Sequence, residues 1–152
     1  MLYARIVRRT LTEAFAGLSH GHQEAVTDKF TSNVEHYFVG HHALSGKRTT
    51  YASAVRWYER LYRIFPDIQF QVRRIDVQGP PWATLATVEW SETNTGTDGV
   101  STSNEGVNIV EIRWGKVRRV HIYTDTERLT KTLNRLAASG NAEAQAEPIV
   151  DP

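Results

Sequence analysis

The sequence predicts an α+β fold: a cone-shaped barrel made by a curved, mostly antiparallel sheet, with three N-terminal helices closing a pocket and a C-terminal helix behind it. Three observations predict it. Apolar residues keep helical spacing in three segments before Pro66, and strand signals then run from Ile68 to Thr124. Within the first of those strands the alternation changes phase at Arg73-Arg74, as a β-bulge would make it do, and bulges curve sheets.

The first helix is read from Leu2, Ile6, Val7, Leu11, Ala14, Phe15 and Leu18, with Arg8, Arg9 and Glu13 between them. Gly17 and Gly21 punctuate its end, and His22 to Phe30 reads as a short second helix. Val34 to Val39, bounded by Asn33 and Gly40, alternates weakly and is taken as a short strand. From Thr49 to Phe65 the positions Tyr51, Val55, Tyr58, Leu61, Tyr62 and Phe65 keep helical spacing until Pro66 stops them. Strands follow at Ile68 to Val77, at Trp82 to Glu92 after the Gly79-Pro80-Pro81 turn, at Val100 to Trp114, and at Lys116 to Thr124. Four consecutive strands of this kind form an antiparallel meander, and a last helix covers Thr126 to Ala138. Residues 1–138 therefore make one domain, and residues 139–152 are a tail that is ordered only if it docks.

A chain of 152 residues, 40% of them hydrophobic, has room for one core. Eighteen Lys and Arg against seventeen Asp and Glu leave a net charge of +1, without the footprint of a nucleic-acid or membrane-surface binder. No apolar run reaches the length of a membrane span or signal peptide. The absence of cysteine removes disulfides, thiolate metal sites and cysteine nucleophiles, and fits a cytoplasmic protein. The expected partners are a small hydrophobic molecule and a second copy of the chain.

A two-residue Gly115-Lys116 turn in the final hairpin would pair Trp114 with Val117, Ile112 with Arg119, Val110 with His121, Asn108 with Tyr123 and Gly106 with Asp125. Asn108, His121, Tyr123 and Asp125 then share the polar end of one face, a candidate pocket wall. The opposite face, with Arg113, Glu111, Ile109, Ile122, Val107 and Val120, mixes charge with apolar bulk and suggests a homodimer contact through the outer sheet.

Four segments in order resemble the nuclear-transport-factor-like superfamily, which includes the ketosteroid isomerases and, within it, the SnoaL-like polyketide cyclases. They are Gly40-His41-His42-x-Leu44-x-Gly46, Phe65-Pro66-Asp67, Gly79-x-Pro81-Trp82 and Tyr123-x-Asp125. The resemblance covers about residues 5 to 138. It implies a deep apolar cone with one or two acid/base side chains, no cofactor, and isomerase, cyclase or dehydratase chemistry on a hydrophobic carbonyl compound. Non-catalytic ligand-binding or dimerisation modules share the same fold.

Asp125 resembles the general acid/base of the SnoaL-like cyclases, and it also stands just ahead of Glu127-Arg128-Leu129, where Asp is a preferred helix N-cap. Both readings stand. His36 lies in the strand that in ketosteroid isomerases carries an aspartate base; histidine can relay protons near neutrality or simply bond a buried carbonyl. His41 and His42 point opposite ways in an extended chain, so at most one faces the pocket, and His42 is taken as the second relay. Tyr123, Asn108 and His121 are candidate polar contacts to substrate, with Trp90 and Trp57 as core residues able to wall a flat ligand. His36, His41, His42, His121 and Asp125 lack the spacing of a metal site, and no nucleotide-binding glycine motif occurs, so neither metal nor cofactor is expected.

Overall fold

The computed structural model describes residues 2–152. Helix α1 (Leu2–Ser19) turns Val7, Leu11, Ala14, Phe15 and Leu18 inward, as its spacing dictates. A single turn, α2 (Glu24–Thr27), leads into β1 (Phe30–Phe38) and β2 (Gly46–Arg48). Helix α3 (Tyr51–Ile64) starts at the N-cap Thr50, whose hydroxyl accepts from the Ser53 amide. Strands β3 (Gln69–Gln78), β4 (Thr84–Asn94), β5 (Thr102–Arg113) and β6 (Lys116–Thr124) form the meander, and α4 (Thr126–Ala138) follows.

The six strands make one curved, open sheet in the order β2-β1-β6-β5-β4-β3. All neighbours are antiparallel except β1 and β6. The phase change falls where the alternation puts it: the register of β3 on β4 shifts between Val72, opposite Trp90, and Arg74, opposite Glu89. The extra residue, Arg73, bends the sheet over α1, which lies against β3. Three elements differ from expectation. The second helix is one turn rather than His22 to Phe30, β1 starts at Phe30 rather than Val34, and β2 pairs with β1 where the sequence offered only a loop.

The hairpin register is corrected by one residue. The turn is Trp114-Gly115, with both residues at positive φ (50° and 78°), so Arg113 rather than Trp114 starts the ladder, opposite Lys116. A bulge at Arg118 completes the change, and Val110 pairs with Val120, Asn108 with Ile122, and Gly106 with Thr124. A one-residue slip exchanges the faces of a strand. Val120 and Ile122 are therefore core residues, while His121 and Tyr123 lie on the outer face with Ile109 and Val107. Trp114 tolerates its left-handed backbone because its amide donates to the Pro81 carbonyl at 2.7 Å and its ring lies 5.9 Å from that of Trp82.

The last residues dock. A short 3-10 turn (Ala142–Gln145) buries Ala144, and Ile149 is buried beyond it. Glu143 pairs with Arg60 and Arg63 of α3, and the Arg60 guanidinium also donates to the Ala43 and Glu147 carbonyls at 2.8 and 2.6 Å. Asp151 sits at the N-terminus of α3, where it accepts from the Thr49 amide at 2.9 Å and from the Thr49 and Thr50 hydroxyls. The Thr49 donors, with help from Ser53 and Thr50, pull its carboxyl down to about 2, as expected of an anion at the positive end of a helix. Asp151→Ala is expected to cost about 1 kcal/mol at neutral pH, a fall in Tm of roughly 2–4 °C for a chain of this size. Thermal unfolding of the variant beside the wild type checks this. Because the folded carboxyl titrates below its unfolded value, the difference should persist down to about pH 4 and fade only towards pH 2.

Candidate functional site

Strand β4 shows how the site is built. Its inner phase is Thr84, Ala86, Val88, Trp90, Glu92 and Asn94, all buried. A carboxylate thus stands on the apolar phase of an alternating strand. Glu92 lines a cavity of about 60 Å³ whose other walls include Phe15, Phe38, Trp57, Phe65, Phe70, Trp90 and Ile122. Its Oε2 accepts from Asn94 Nδ2 at 2.9 Å, and no other donor reaches the carboxyl among the described residues. Burial raises its pKa to about 7, with the nearby Asp67 carboxylate adding to the effect and the Asn94 hydrogen bond opposing it.

The polar groups around Glu92 are placed by the neighbouring strands. Asn104, opposite Glu92 on β5, donates to the Asp125 carbonyl at 3.0 Å. Gly106, opposite Trp90, allows the indole to lie across the strand, since a Cβ there would come within 2.6 Å of Trp90 Cζ2. So placed, Trp90 Nε1 donates to Asn108 Oδ1 at 2.8 Å. A second cavity of about 190 Å³ lies between α1, α2 and the β5–β6 hairpin. Phe15, Leu18, Tyr58 and Asn108 line both cavities.

Of the residues singled out in the sequence, Trp57, Trp90 and Asn108 face this space. The others do not. Asp125 is the N-cap of α4: its Oδ1 accepts from the Arg128 amide at 3.0 Å, and its side chain is half exposed outside the cavity lining. Tyr123 and His121 are on the outer face because of the register change. There His121 Nε2 approaches Glu35 Oε2 at 2.6 Å, and this bond, followed by Lys47 and Arg119, holds the Glu35 carboxyl below its usual range. His42 is tied into its own loop, with Nε2 against the Val39 carbonyl and Nδ1 accepting from the Leu44 amide. His36 is fully buried behind the wall: Arg48 donates to its Nδ1 at 2.8 Å, and its Nε2 lies 3.3 Å from the Tyr58 hydroxyl. Burial, then the charge of Arg48, pushes His36 well below the ordinary histidine pKa.

Glu92, Asn104 and Tyr58 were not singled out as site residues. For Glu92 the signal is in the sequence, as a lone acid in phase with Ala86, Val88 and Trp90. Among the described residues no three His, Asp or Glu side chains are grouped to hold a metal ion, and no helix is long and apolar enough to cross a membrane.

A family model described as a SnoaL-like domain matches residues 11–120. No curated protein matches the chain. Among solved structures it is similar to PrhC from Penicillium brasilianum, at 18% identity over 88% of this chain and 90% of that one, with a TM-score of 0.73. It is similar also to TerC co-crystallised with polyporic acid, at 17% identity over 82% and 95% of the two chains, with a TM-score of 0.69. A third is a protein with a ketosteroid isomerase-like fold from Catenulispora acidiphila in complex with trimethylamine, at 10% identity over 81% and 90%, with a TM-score of 0.66. At these identities the likeness is one of fold.

Burying Glu92 has a signed consequence. Its folded pKa, about 7, lies above the reference 4.5, so the native state holds a proton that the unfolded chain releases, and stability falls as pH rises between those values. Glu92→Gln removes the penalty while keeping an acceptor for Asn94. The variant is expected to exceed the wild type by on the order of 3 kcal/mol above pH 7 and to match it near pH 4.5. Urea unfolding at pH 4.5 and pH 8 measures the two differences.

Proposed function

The chain belongs to the SnoaL-like domain family, and we propose that it binds a small hydrophobic carbonyl compound in the cavity around Glu92 and moves a proton on it without a cofactor. The observation that carries this assignment is Glu92 itself: an acid on an apolar wall, with a proton affinity near neutrality and one hydrogen bond. A group with a pKa near the working pH can both take and return a proton. Proton transfer is assigned to Glu92 rather than to Asp125, whose carboxylate is committed to the α4 N-terminus. The ligands named for TerC and for the Catenulispora protein support a small-molecule role for this interior.

In the ionised state Glu92 takes a proton from the carbon next to the substrate carbonyl. The C–H pair becomes a C=C bond, and the carbonyl π pair moves onto oxygen. Where a C=C adjoins that carbon, the dienolate oxygen pair re-forms the carbonyl, the new C=C shifts into conjugation and its far carbon takes the proton back from Glu92, giving an isomer. When the carbanion equivalent instead attacks a second carbonyl, Glu92 protonates the new alkoxide, giving a cyclised product. Either way the acid ends as it began, and atoms and charge balance. Apolar walls exclude water and keep the carboxylate weakly solvated, which raises its basicity.

We assign the outer sheet face to a homodimer contact, now on the corrected register. Leu85, Ile109 and Tyr123 expose 37–41% of their surface there, beside the ion pairs of Glu35 with Lys47 and Arg119 and of Glu111 with Arg119. Apolar bulk beside paired charge suits a subunit contact better than a solvated face. A dimer by sedimentation at micromolar concentration, converted to a folded monomer by Ile109→Glu, is the expected result. A monomeric wild type removes this assignment.

For the chemistry, small cyclic ketones in D₂O are the assay, with deuterium uptake next to the carbonyl followed by NMR. Uptake should rise with pH and level off above about 7, because only the carboxylate accepts a proton. Glu92→Gln should lower it by at least ~100-fold. Uptake by the variant equal to that of the wild type would sink the proposal.

A further inference from the structure

A buried arginine sets the direction of a hydrogen-bond chain that ends in the cavity. Arg48 is fully buried, and among the described residues no carboxylate lies within hydrogen-bond distance of it, although the charge of Asp151 acts on it from further off. Its Nε donates to the Ile149 carbonyl at 2.9 Å, and Nη2 donates to the Ser45 and Gly46 carbonyls at 3.0 and 2.9 Å. Nη1 donates to His36 Nδ1 at 2.8 Å. Arginine has donors only, so Nδ1 must be the accepting nitrogen and the ring hydrogen must sit on Nε2. That hydrogen points to the Tyr58 oxygen. Tyr58 therefore receives a hydrogen bond, and its own O–H finds no acceptor among the described residues. The residue is 3% exposed and lines both cavities. A buried hydroxyl hydrogen without a partner is costly unless a ligand accepts it.

We propose that Tyr58 donates a hydrogen bond to the carbonyl oxygen of the substrate, with Arg48 and His36 as positioning residues that force the phenol to act as donor. The proposal rests on the proton-transfer assignment to Glu92 and adds the group that meets the negative charge when that proton leaves carbon. The guanidinium charge reaches the phenol through the neutral imidazole, so each donor in the chain is polarised by the one behind it. His36 faces no other titratable side chain at hydrogen-bond distance; its remaining ring neighbours are Trp57 and Phe30. It acts here as a fixed conductor of polarity rather than as the proton relay its sequence position suggests.

The test uses binding rather than turnover, so that it stands apart from Glu92. Cyclohexanone and methylcyclohexane are the probes, in wild type, Tyr58→Phe and Glu92→Gln. In the wild type the carbonyl stretch of bound cyclohexanone is expected below its frequency in liquid alkane, and in Tyr58→Phe at the alkane value. Tyr58→Phe should weaken cyclohexanone about ten-fold, the size of one good hydrogen bond, and methylcyclohexane less than roughly two-fold. Glu92→Gln should keep the lowered stretch, which separates failure of the donor from failure of the base. Equal stretches in wild type and Tyr58→Phe overturn the proposal, and so does failure of the wild type to bind cyclohexanone at millimolar concentration. Nitrogen-15 NMR of the wild type reads the relay directly: His36 should carry its hydrogen on Nε2 from pH 8 to pH 5. A hydrogen on Nδ1, or protonation of the ring within that range, overturns the positioning role.

Discussion

Arg48 is the constraint from which much of this structure follows. A guanidinium removed from water needs its donors satisfied, and a buried charge left incompletely solvated costs several kcal/mol. Here main-chain carbonyls and an imidazole do what a carboxylate usually does, and burial lowers the arginine pKa only to about 10, so the charge persists at neutral pH. Two of those carbonyls belong to Ser45 and Gly46, at the start of β2, which explains why so short a strand holds its place at the sheet edge. A third belongs to Ile149, so the chain beyond α4 must return across α3. The contacts of Glu143 and Asp151 with α3 secure that return. With no carboxylate at hydrogen-bond distance among the described residues, the nearest partner of the Arg48 charge on that side is the His36 ring, which in turn meets Tyr58.

Much of the fold was legible because it is periodic. Helix α4 and strand β6 have the bounds that spacing and capping predict, and the bulge at Arg73 announces itself as a change of parity. What could not be read depends on single tertiary contacts. Three residues, Gly46 to Arg48, carry no periodicity, and they become a strand only through β1. The hairpin register turned on whether Trp114 or Lys116 joins Gly115 in the turn. Local preference argues against a tryptophan at positive φ. The Pro81 carbonyl and the Trp82 ring overrule it, and with that single choice His121 and Tyr123 leave the interior and Val120 and Ile122 enter it.

The site was legible in the same uneven way. Trp57, Trp90 and Asn108 were found because aromatic residues and an inward amide on a strand predict a pocket wall. Motifs single out Asp125 and the histidines, and in the structure these make local bonds: at a helix N-terminus for Asp125, within a loop for His42, and to Glu35 on the outer face for His121. Glu92 has no motif around it. It is conspicuous only for occupying an apolar position without a cation beside it, which is also what gives it a useful pKa.

Places where a chain breaks a local rule at a cost are where function is to be sought. Among the described residues three such places occur: a carboxylic acid in phase with apolar strand residues, a guanidinium with no carboxylate at hydrogen-bond distance, and a phenol whose hydrogen has no acceptor. Each alone could be a tolerated defect. Glu92 and Tyr58 open on the same apolar space, one able to take a proton and the other to give a hydrogen bond, and Arg48 fixes which role Tyr58 has. Their costs are complementary, since one carbonyl compound with an acidic C–H would satisfy the phenol with its oxygen and the acid with its proton. A glutamine at position 92 would fill the same volume without the proton penalty, whereas a phenylalanine at position 58 would leave the His36 Nε2 hydrogen unpaired, so the phenol serves the buried histidine as acceptor while keeping its own hydrogen for the cavity.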